Sequence, residues 1–356
     1  MTIKQIKIQH LRNITEADIR FSAGINLVTG KNGSGKSTLL EAIYMLGRGR
    51  SFRTSKFGPV VQHGEKSLTL FAISSLAREH RIGVHKSASQ TMIKIDGEGI
   101  SKLSDIAKMT PLQILTPMSH EILERGPEYR RRFVEWGVFH VEPSYYPIYK
   151  KFTKALRQRN SLLKTDPGTV SSWNQIVGGL GEEMNRLRED YFNLLQSTFT
   201  DELEQLNIDG TIEMTWKRGW DEGLSLAGVL KQREPSDIKQ GYTQVGPHRA
   251  DIRLLFEGRS AFTSISRGQQ KMIISALHLA QAAITQKLTG IMPILLFDDL
   301  VAELDAENRD RLLRRINQIG CQAFITATDR PGEVGDIEMN EIRIESGTVT
   351  PTDHVS

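Results

Sequence analysis

The stretch GKNGSGKST, from Gly30 to Thr38, constrains the fold of this chain more than any other segment. It follows the apolar run INLVT and precedes LLEAIYML, in which apolar residues recur at helical spacing. A glycine-rich loop between a strand and a helix lets backbone N–H groups approach a phosphate at the positive end of the helix. The pattern therefore predicts a strand, a phosphate-binding loop and a helix, in that order.

The loop also satisfies the pattern G-x-x-x-x-G-K-[ST], in which each fixed residue has a chemical task. Lys36 is expected to reach the terminal phosphates of a nucleotide, and the Ser37 hydroxyl is expected to ligate Mg²⁺. A glycine-rich turn that binds nothing is the alternative, and the flanking strand and helix disfavour it. The residues predicted to bind ATP here are Gly30, Lys31, Asn32, Gly33, Ser34, Gly35, Lys36, Ser37 and Thr38.

Composition sets a few further limits. The 356 residues are 38% hydrophobic and 25% charged, which suits one large domain with an insertion or two domains. The net charge of +4 favours polyanionic partners only weakly. The single cysteine, Cys321, excludes a disulfide framework and a cysteine-based metal site. No apolar run approaches the roughly 18 residues of a membrane span, so we expect a cytoplasmic protein without a membrane partner.

The patterns along the chain change character twice. Short strand-like segments dominate to residue 117, long amphipathic helical patterns extend from 118 to 241, and alternating strands and helices return from 242. Strands that alternate with helices are typical of an α/β fold. We therefore expect one α/β domain built from residues 1–117 and 242–356, with a mainly helical lobe inserted at 118–241.

Two carboxylates follow an apolar strand in ILLFDDL, where Asp298 and Asp299 come directly after Phe297. A strand buried on both faces of a parallel sheet delivers its last residues to the edge where phosphate loops lie. Asp298 is the predicted Mg²⁺ ligand together with Ser37. Asp299 is the predicted catalytic residue, which orients or deprotonates the attacking water. A solvated acidic turn is the alternative.

The segment ISRGQQK opens a long helical pattern, with Ser266, Gly268 and Gln269 at its head. A serine and unpaired backbone amides at a helix N-terminus can hold an anion, because the free donors and the helix dipole both favour negative charge. An ordinary N-cap is the alternative explanation of Ser266.

The order of these motifs resembles that of ABC-type ATPases. S-x-G-Q ahead of a strand ending in two aspartates looks like their signature sequence, and VAELD from Val301 to Asp305 resembles their D-loop. The resemblance implies an ABC-type head of mixed sheets with flanking helices. It also implies that Ser266, Gly268 and Gln269 act in trans on the γ-phosphate held by a second subunit, so that ATP promotes a homodimer.

Longer motifs narrow the resemblance to the RecF family of bacterial recombination mediators, which is related to the ATPase heads of SMC proteins. The matching segments are LRN, GRSFRT, GPEYRRRFVEWGVFH, GPHRAD, SRGQQK and DDLVAELD. The resemblance implies an ATP-dependent protein for the repair of single-strand gaps and stalled forks. Such a protein binds duplex and gapped DNA and helps to load RecA with RecO and RecR. Arg12, in LRN, matches a nucleotide-contacting arginine of related heads.

Two positions depart from the ABC pattern. Asp299 stands where a catalytic glutamate is usual, and Thr328 stands where a switch histidine is usual. A carboxylate that is one methylene shorter reaches a water at the γ-phosphate less directly, and the missing imidazole removes a phosphate contact. We therefore expect slow hydrolysis, in a weak DNA-stimulated ATPase that acts as a switch.

Basic residues outside the loop are candidates for contact with DNA phosphates. The segment RGRSFRTSK is expected to be an exposed loop, and Arg130, Arg131 and Arg132 are expected to point mostly outward from one helix. The same outward basic pattern is expected to continue in the helical insertion at Lys150, Lys151, Lys154, Arg157 and Arg159. A solvated face is the alternative for each of them. The predicted DNA-binding residues are Arg48, Arg50, Arg53, Arg130, Arg131 and Lys151.

Two other functions compete with this interpretation. A small-molecule P-loop kinase would use the nucleotide as a substrate, but it has no need of the phosphate cap in SRGQQK. Another ABC-type ATPase, such as a transporter subunit, would share the loop, but the large helical insertion and Thr328 disfavour it.

Overall fold

A computed structural model of the protein describes residues 1–76, 78–260, 265–299, 303–330 and 337–351. The strands are β1 (Thr2–Leu11), β2 (Ile14–Arg20), β3 (Ile25–Thr29), β4 (Ser67–Ser75), β5 (Glu79–Ser87), β6 (Thr91–Ile95), β7 (Glu98–Gly99), β8 (Leu112–Leu115), β9 (Ile212–Lys217), β10 (Asp251–Phe256), β11 (Arg259–Ser260), β12 (Ile294–Phe297), β13 (Ala323–Ala327), β14 (Met339–Glu345) and β15 (Thr348–Pro351). The helices are α1 (Lys36–Arg48), α2 (Leu103–Met109), α3 (Glu121–Glu124), α4 (Pro127–Val141), α5 (Tyr145–Thr165), α6 (Ser171–Gln205), α7 (Leu226–Gln240), α8 (Arg267–Thr289) and α9 (Ala306–Ile319). Among these described helices, none combines the length and hydrophobicity needed to cross a membrane.

The chain divides into two compact units, residues 1–119 with 271–356, and residues 120–270. We call the first the head and the second the helical unit. This division differs from the predicted boundary at residue 241, because β10 pairs antiparallel with β9. Residues 242–270, which were expected in the head, therefore belong to the helical unit.

The described residues of the head form two six-stranded sheets. The first is antiparallel, in the order β2-β1-β4-β5-β6-β7, and the second has the order β15-β14-β3-β13-β12-β8. Helix α1 packs against strands of both sheets through a buried apolar face that includes Leu39, Leu40 and Ile43. The amphipathic pattern after the glycine loop thus becomes the centre of the hydrophobic core of the head.

Three parallel strands of the second sheet determine where the candidate site lies. The strands β3, β13 and β12 are buried along their whole length, as expected of parallel strands that helices cover on both faces. Because they run in the same direction, their carboxyl ends meet at one edge of the sheet. The glycine loop after Thr29, Asp298 after β12, and Thr328 after β13 therefore lie at a common edge.

The helical unit is held together by an arginine that is turned inward. Arg159 of α5 is 0% exposed. Its Nη1 donates to Asp237 Oδ2 at 2.8 Å and to Thr243 Oγ1 at 2.7 Å. An interior guanidinium requires such partners, because an unpaired buried charge costs several kcal/mol. The expectation that Arg159 faces outward is therefore wrong.

Candidate nucleotide site

The glycine loop lies between β3 and α1, as the sequence pattern predicts, and two glycines make its path possible. Gly30 has a φ of 149° and Gly35 has a φ of 122°, values that residues with a side chain rarely adopt. A Cβ at Gly30 would also lie 2.2 Å from the Ile344 carbonyl oxygen of β14. The loop requires glycine for both its conformation and its space, as a phosphate cradle does.

Lys36 is the first residue of α1, and its ammonium group lies against the loop. Its Nζ donates to the carbonyl oxygens of Gly30 at 2.7 Å and Lys31 at 3.2 Å, and the residue is only 4% exposed. A cation held by the loop itself is well placed to meet the terminal phosphates of a nucleotide.

Asn13, at the end of LRN, joins the loop to the first turn of α1. Its Nδ2 donates to the Ser34 carbonyl oxygen at 2.9 Å, and its Oδ1 accepts from the Thr38 hydroxyl at 3.0 Å. These two bonds fix the loop from outside the glycine-rich segment. The sequence analysis missed this role, and the signal available for it was the place of Asn13 in the LRN motif.

The predicted Mg²⁺ ligands are in contact with each other. Ser37 Oγ donates to Asp298 Oδ1 at 2.7 Å, so β12 and the glycine loop meet as predicted. Mg²⁺ prefers hard oxygen ligands and is usually held by one or two protein oxygens together with substrate phosphates and waters. The Ser37 hydroxyl and the Asp298 carboxylate present two such oxygens side by side. These residues fit a magnesium ion.

Thr326 of β13 links the two carboxylates, a role that the sequence analysis missed. Its Oγ1 lies 3.3 Å from Asp298 Oδ1 and 3.0 Å from Asp299 Oδ1. The Asp299 backbone N–H donates to the same Thr326 oxygen at 2.7 Å. This bond supports the left-handed backbone of Asp299, whose φ is 53°. Asp299 is thus fixed at both its backbone and its carboxylate.

The Asp298 carboxyl has an altered proton affinity. Burial raises its pKa above the usual range, and the nearby Asp299 charge acts in the same direction. The hydrogen bonds from Ser37 and Thr326 and the positive charge of Arg53 oppose this rise in pKa. A buried carboxylate beside a second carboxylate favours a bound cation, because the cation offsets the negative charge.

A cavity of ≈ 680 Å³ opens beside the glycine loop. It is lined by residues 29–34, by residues 328–330, and by β14 with the turn that follows it. Cavities of this size commonly hold small-molecule ligands. Thr328, which replaces the usual switch histidine, is exposed at this cavity.

Arg12 is bound to protein groups. Its Nη2 donates to Glu41 Oε1 at 2.8 Å, and its Nη1 donates to the Pro59 carbonyl oxygen at 2.9 Å. Its Nε also donates to Glu41. Arg12 is not among the residues that line the cavity beside the loop. The predicted contact of Arg12 with the nucleotide stays a prediction.

The predicted signature residues form the start of α8. The Ser266 N–H donates to Gln269 Oε1 at 3.0 Å, and the Gln269 N–H donates to Ser266 Oγ at 3.3 Å. This reciprocal pair is a capping box, which fixes the first turn of a helix. Among the described residues, a Cβ at Gly268 would meet only the Ser266 hydroxyl, at 4.0 Å. Ser266 is an N-cap, and its action on a second subunit stays a prediction.

Asp305, from the predicted D-loop, caps helix α9. Its carboxylate accepts from the Asn308 backbone N–H at 2.9 Å and from the Asn308 Nδ2 at 2.7 Å. These hydrogen bonds lower the pKa of Asp305. Val301 and Ala302 of the predicted D-loop lie outside the described residues. The predicted role of Asp305 beside a nucleotide stays a prediction.

The arginines around the end of α1 differ in exposure. Arg48 is the last residue of α1 and is half-buried, and its Nη2 lies 3.5 Å from the Leu112 carbonyl oxygen. Burial lowers the pKa of Arg48. The expectation of an exposed loop is therefore wrong for this residue. Arg50 and Arg53 are exposed, so they keep their place as candidates for DNA contact.

Two of the three predicted outward arginines of α4, Arg130 and Arg131, turn toward protein groups instead, while Arg132 is exposed as expected. Arg130 pairs with Asp251 at two points, Nε to Oδ1 at 2.6 Å and Nη2 to Oδ2 at 3.1 Å. Arg131 donates to the Ala250 carbonyl oxygen at 2.8 Å. Both partners belong to GPHRAD, which gives this motif a structural task that the sequence did not reveal. Lys151 of α5 is exposed, as expected.

Comparison with known proteins shows the family and the fold of the chain. The family described as RecF/RecN/SMC N terminal domain matches residues 2–340. DNA replication and repair protein RecF of Pseudomonas aeruginosa (strain LESB58) is 35% identical over 362 residues, which cover 99% of this chain and 98% of that protein. The solved structure of recombination mediator protein RecF with ATP in the RecFOR pathway has a TM-score of 0.85 at 27% identity, covering 99% of this chain and 98% of that one. An SMC head bound to the C-winged helix domain of ScpA has a TM-score of 0.62 at 16% identity, covers 99% of this chain and 97% of that one, and shares the fold.

The parallel strands, the glycine loop and the carboxylates after β12 define an ABC-type P-loop ATPase head, as the sequence predicted. Within that class the chain belongs to the RecF/RecN/SMC family, and its predicted place among RecF-type DNA replication and repair proteins is confirmed. The kinase alternative has no support from these relatives.

Proposed function

We propose that this chain is an ATP-controlled DNA-binding protein of recombinational repair, in which two copies share each nucleotide. The observation that carries the proposal is the 2.7 Å contact between the Ser37 hydroxyl and the Asp298 carboxylate. It joins the glycine loop, the metal ligands and the carboxylate pair into one site. The similar RecF structure with ATP supports the same ligand for this chain.

ATP binding would use the loop and Lys36. The backbone N–H groups of the loop would donate to the phosphate oxygens, and the Lys36 ammonium would exchange two neutral carbonyl partners for charged phosphate oxygens. Ser37 and Asp298 would hold Mg²⁺. When bound, the ion neutralises charge that develops on the phosphates during phosphoryl transfer.

Hydrolysis would depend on Asp299. One carboxylate oxygen accepts from the Thr326 hydroxyl at 3.0 Å, which leaves the other oxygen to orient or deprotonate the attacking water. The short aspartate side chain and Thr328 in place of a histidine favour slow turnover. A slow ATPase suits a switch, because the ATP-bound state must last long enough for DNA and partners to bind.

A second copy would complete the site with the start of its α8. The capping box satisfies two donors of that helix, and further N–H groups of the first turn would be available to an anion. The γ-phosphate held by the first copy would be that anion. Its loss on hydrolysis removes the contact between the copies and opens the dimer.

The expected macromolecular partners are duplex and gapped DNA, RecO and RecR, with RecA as the protein that is loaded. The RecFOR pathway of the similar structure supports RecO and RecR. The exposed Arg50, Arg53 and Lys151 are the remaining candidates for phosphate contacts, and DNA bound there would stimulate hydrolysis.

The test is the mass of the protein in solution with ATP, with ADP and without nucleotide, for the wild type and for Asp299→Asn. With ATP we expect about twice the 40.1 kDa of one chain, and with ADP we expect one chain. Asp299→Asn should keep the dimer longer, while Lys36→Ala should stay a monomer throughout. Binding to duplex, single-stranded and gapped DNA is measured in the same three nucleotide states at two salt concentrations. A mass of one chain in ATP, or failure to bind any of the DNAs, would contradict the proposal.

A further inference from the structure

The turn between β14 and β15 lies against the phosphate loop, and the function proposed above gives it no task. It consists of Ser346 and Gly347, whose φ values are 48° and 84°. The residues on either side, Glu345 and Thr348, are paired across the hairpin. Two successive positive φ values are typical of a type I′ turn, in which glycine is strongly preferred. The turn therefore presents a backbone of defined conformation to its neighbours.

This turn contacts two segments of the ATP site. The Gly347 N–H donates to the Ser34 carbonyl oxygen at 2.7 Å. A Cβ at Gly347 would lie 2.0 Å from the Asn13 carbonyl oxygen and 3.0 Å from its carbonyl carbon. Contacts this close to backbone atoms cannot be relieved by moving a side chain, so only glycine fits here. The β14–β15 turn therefore packs against both the phosphate loop and the LRN turn between β1 and β2.

The Ser34 carbonyl oxygen accepts a hydrogen bond from each of these two turns. The donors are the Gly347 N–H at 2.7 Å and Asn13 Nδ2 at 2.9 Å. None of the described peptide bonds is cis, and in a trans peptide the carbonyl and the following N–H point in opposite directions. The two donors at the Ser34 oxygen therefore hold the Gly35 N–H pointing away from both turns.

The Gly35 N–H belongs to the part of the loop that is expected to bind phosphate. It directly precedes Lys36, the first residue of α1, where backbone donors of such loops meet phosphate oxygens. Glycine itself restricts the backbone little, so Gly33 and Gly35 do not fix the direction of this peptide by themselves. Contacts from outside the loop are needed to hold one direction, and the two turns supply them.

We propose that Gly347 is a positioning residue of the ATP site, which together with Asn13 fixes the direction of the Ser34–Gly35 peptide before ATP binds. The proposal rests on the proposed function, because this direction matters only if phosphates bind at the loop. Loss of one donor lets the peptide rotate, and ATP must then order it on binding, which lowers the affinity. Turnover at saturating ATP changes little, because bound phosphates then hold the peptide themselves.

The test compares two turns of the head that have the same backbone conformation. Gly97 follows Asp96 in the turn between β6 and β7, and their φ values are 90° and 51°. A Cβ at Gly97 would meet none of the described residues within 4 Å. Gly347→Ala and Gly97→Ala therefore introduce the same backbone strain, but only Gly347→Ala pushes a turn away from Asn13. Asn13→Ala is the second route, because it removes the other donor to Ser34.

The measurements on the full-length protein are the ATP dissociation constant by calorimetry with Mg²⁺, steady-state turnover and thermal unfolding. We expect Gly347→Ala and Asn13→Ala each to weaken ATP binding by about tenfold, which is the loss expected for one hydrogen bond that orders the site. The kcat of Gly347→Ala should stay within about twofold of the wild type, so that the change falls on KM. Gly97→Ala should bind ATP like the wild type, although its melting temperature should fall as much as that of Gly347→Ala.

Equal ATP dissociation constants for Gly347→Ala and Gly97→Ala would overturn the positioning role, because they would show that the turn contributes only to stability. A loss confined to kcat would overturn it as well. If Gly347→Ala does not fold, Asn13→Ala decides, and an unchanged affinity for ATP in that variant would contradict the proposal. A wild type that does not bind ATP would instead contradict the proposed function, so the failures of the two proposals are distinguishable.

Discussion

The head and the helical unit both contain many charged residues, but they use them differently. In the head, Lys36 and Asp298 lie at the edge of a parallel sheet, where an open cavity adjoins the glycine loop. In the helical unit, Arg159 and Arg188 are buried and matched with internal partners. The comparison teaches that the kind of partner separates the two uses, because Lys36 is held only by neutral loop carbonyl oxygens, whereas Arg159 and Arg188 are each paired with a carboxylate.

Arg188 of α6 illustrates the internal use of charge most fully. Its Nε donates to the Tyr145 hydroxyl at 2.9 Å, its Nη1 donates to the Pro247 carbonyl oxygen at 2.7 Å, and its Nη2 pairs with Glu135. Pro247 belongs to GPHRAD, as do the partners of the α4 arginines. The GPHRAD motif therefore supplies hydrogen-bond acceptors for several arginines of the helical unit.

The largest expected effect concerns Lys36, the lysine of the head that is predicted to contact the phosphates of ATP. Lys36→Ala should reduce ATP turnover by about 10³-fold, because it removes the cation that meets the terminal phosphates. The free energy of unfolding should change by less than about 1 kcal/mol, since Lys36 bonds only to loop carbonyls. Steady-state hydrolysis and urea unfolding measure the two quantities. The matched control is Lys66→Ala, at an exposed lysine of the head. Equal turnover in the two variants would refute the assignment of Lys36.

For Arg159, the buried arginine of the helical unit, the expected effect is on stability. Arg159→Met should lower the free energy of unfolding by about 3–5 kcal/mol, because Asp237 is left buried without its ion pair. Arg157→Ala, at an exposed position on the same helix, should change it by less than about 0.5 kcal/mol. Urea unfolding distinguishes these outcomes. Similar small changes in both variants would mean that Arg159 is not a structural centre of this unit.

Each unit also contains a histidine whose pKa is depressed mainly by burial, to about 4 for the half-buried His248 and about 3 for the buried His278. Both are neutral in the folded protein at pH 7, and in the unfolded chain they take up protons below the usual pKa of 6.5. Their contribution to stability is therefore complete above pH 6.5 and is lost as the pH falls toward 4. As the pH falls through that range, each histidine should lower the free energy of unfolding by about 1.4 kcal/mol per pH unit.

Unfolding by urea at a series of pH values between 7.5 and 5 measures this loss. His248→Gln should reduce the proton uptake on unfolding by about one in the acidic range. The same substitution at the exposed His63 of the head provides the control and should leave the slope unchanged. An unaltered slope for His248→Gln would show that this histidine is protonated in the folded protein.

The smallest effects concern DNA. Arg50→Ala and Lys151→Ala should each reduce the slope of log affinity against log salt by about one, if each neutralises one phosphate. Arg130→Ala should leave that slope unchanged and lower the melting temperature, because Arg130 is committed to Asp251. Titrations of duplex and gapped DNA at several salt concentrations measure the slopes. A reduced slope for Arg130→Ala, with unchanged slopes for the other two variants, would contradict this assignment. It would mean that Arg130 contacts DNA and that Arg50 and Lys151 do not.

The sequence predicted the site best where a local pattern determines the geometry. INLVT, the glycine loop and ILLFDD each combine a strand with the residues that follow it, and parallel pairing then brings them to one edge. The roles of Thr326 and Asn13 were not predicted, because their partners come from segments that are distant in the sequence.

The wrong predictions in the helical unit also arise from partners that are distant in the sequence. Helical periodicity marks an arginine as polar, but it does not show whether a carboxylate from another helix will bury it. Arg159 finds Asp237 of α7 in this way, and Arg130 finds Asp251 of β10. The predicted boundary at residue 241 differs from the observed one because the sequence analysis did not predict strand β9. Without β9, the predicted strand DIRLLF could be assigned a pairing partner only in the head.

The most direct test of the shared nucleotide is to mix two variants that are each inactive. Lys36→Ala lacks the phosphate-binding cation, and Ser266→Arg blocks the start of α8. If the site is built from two copies, a mixed dimer contains one intact site, and an equal mixture should regain about a quarter of the wild-type ATP turnover. A mixture that stays as inactive as its two components would contradict the account.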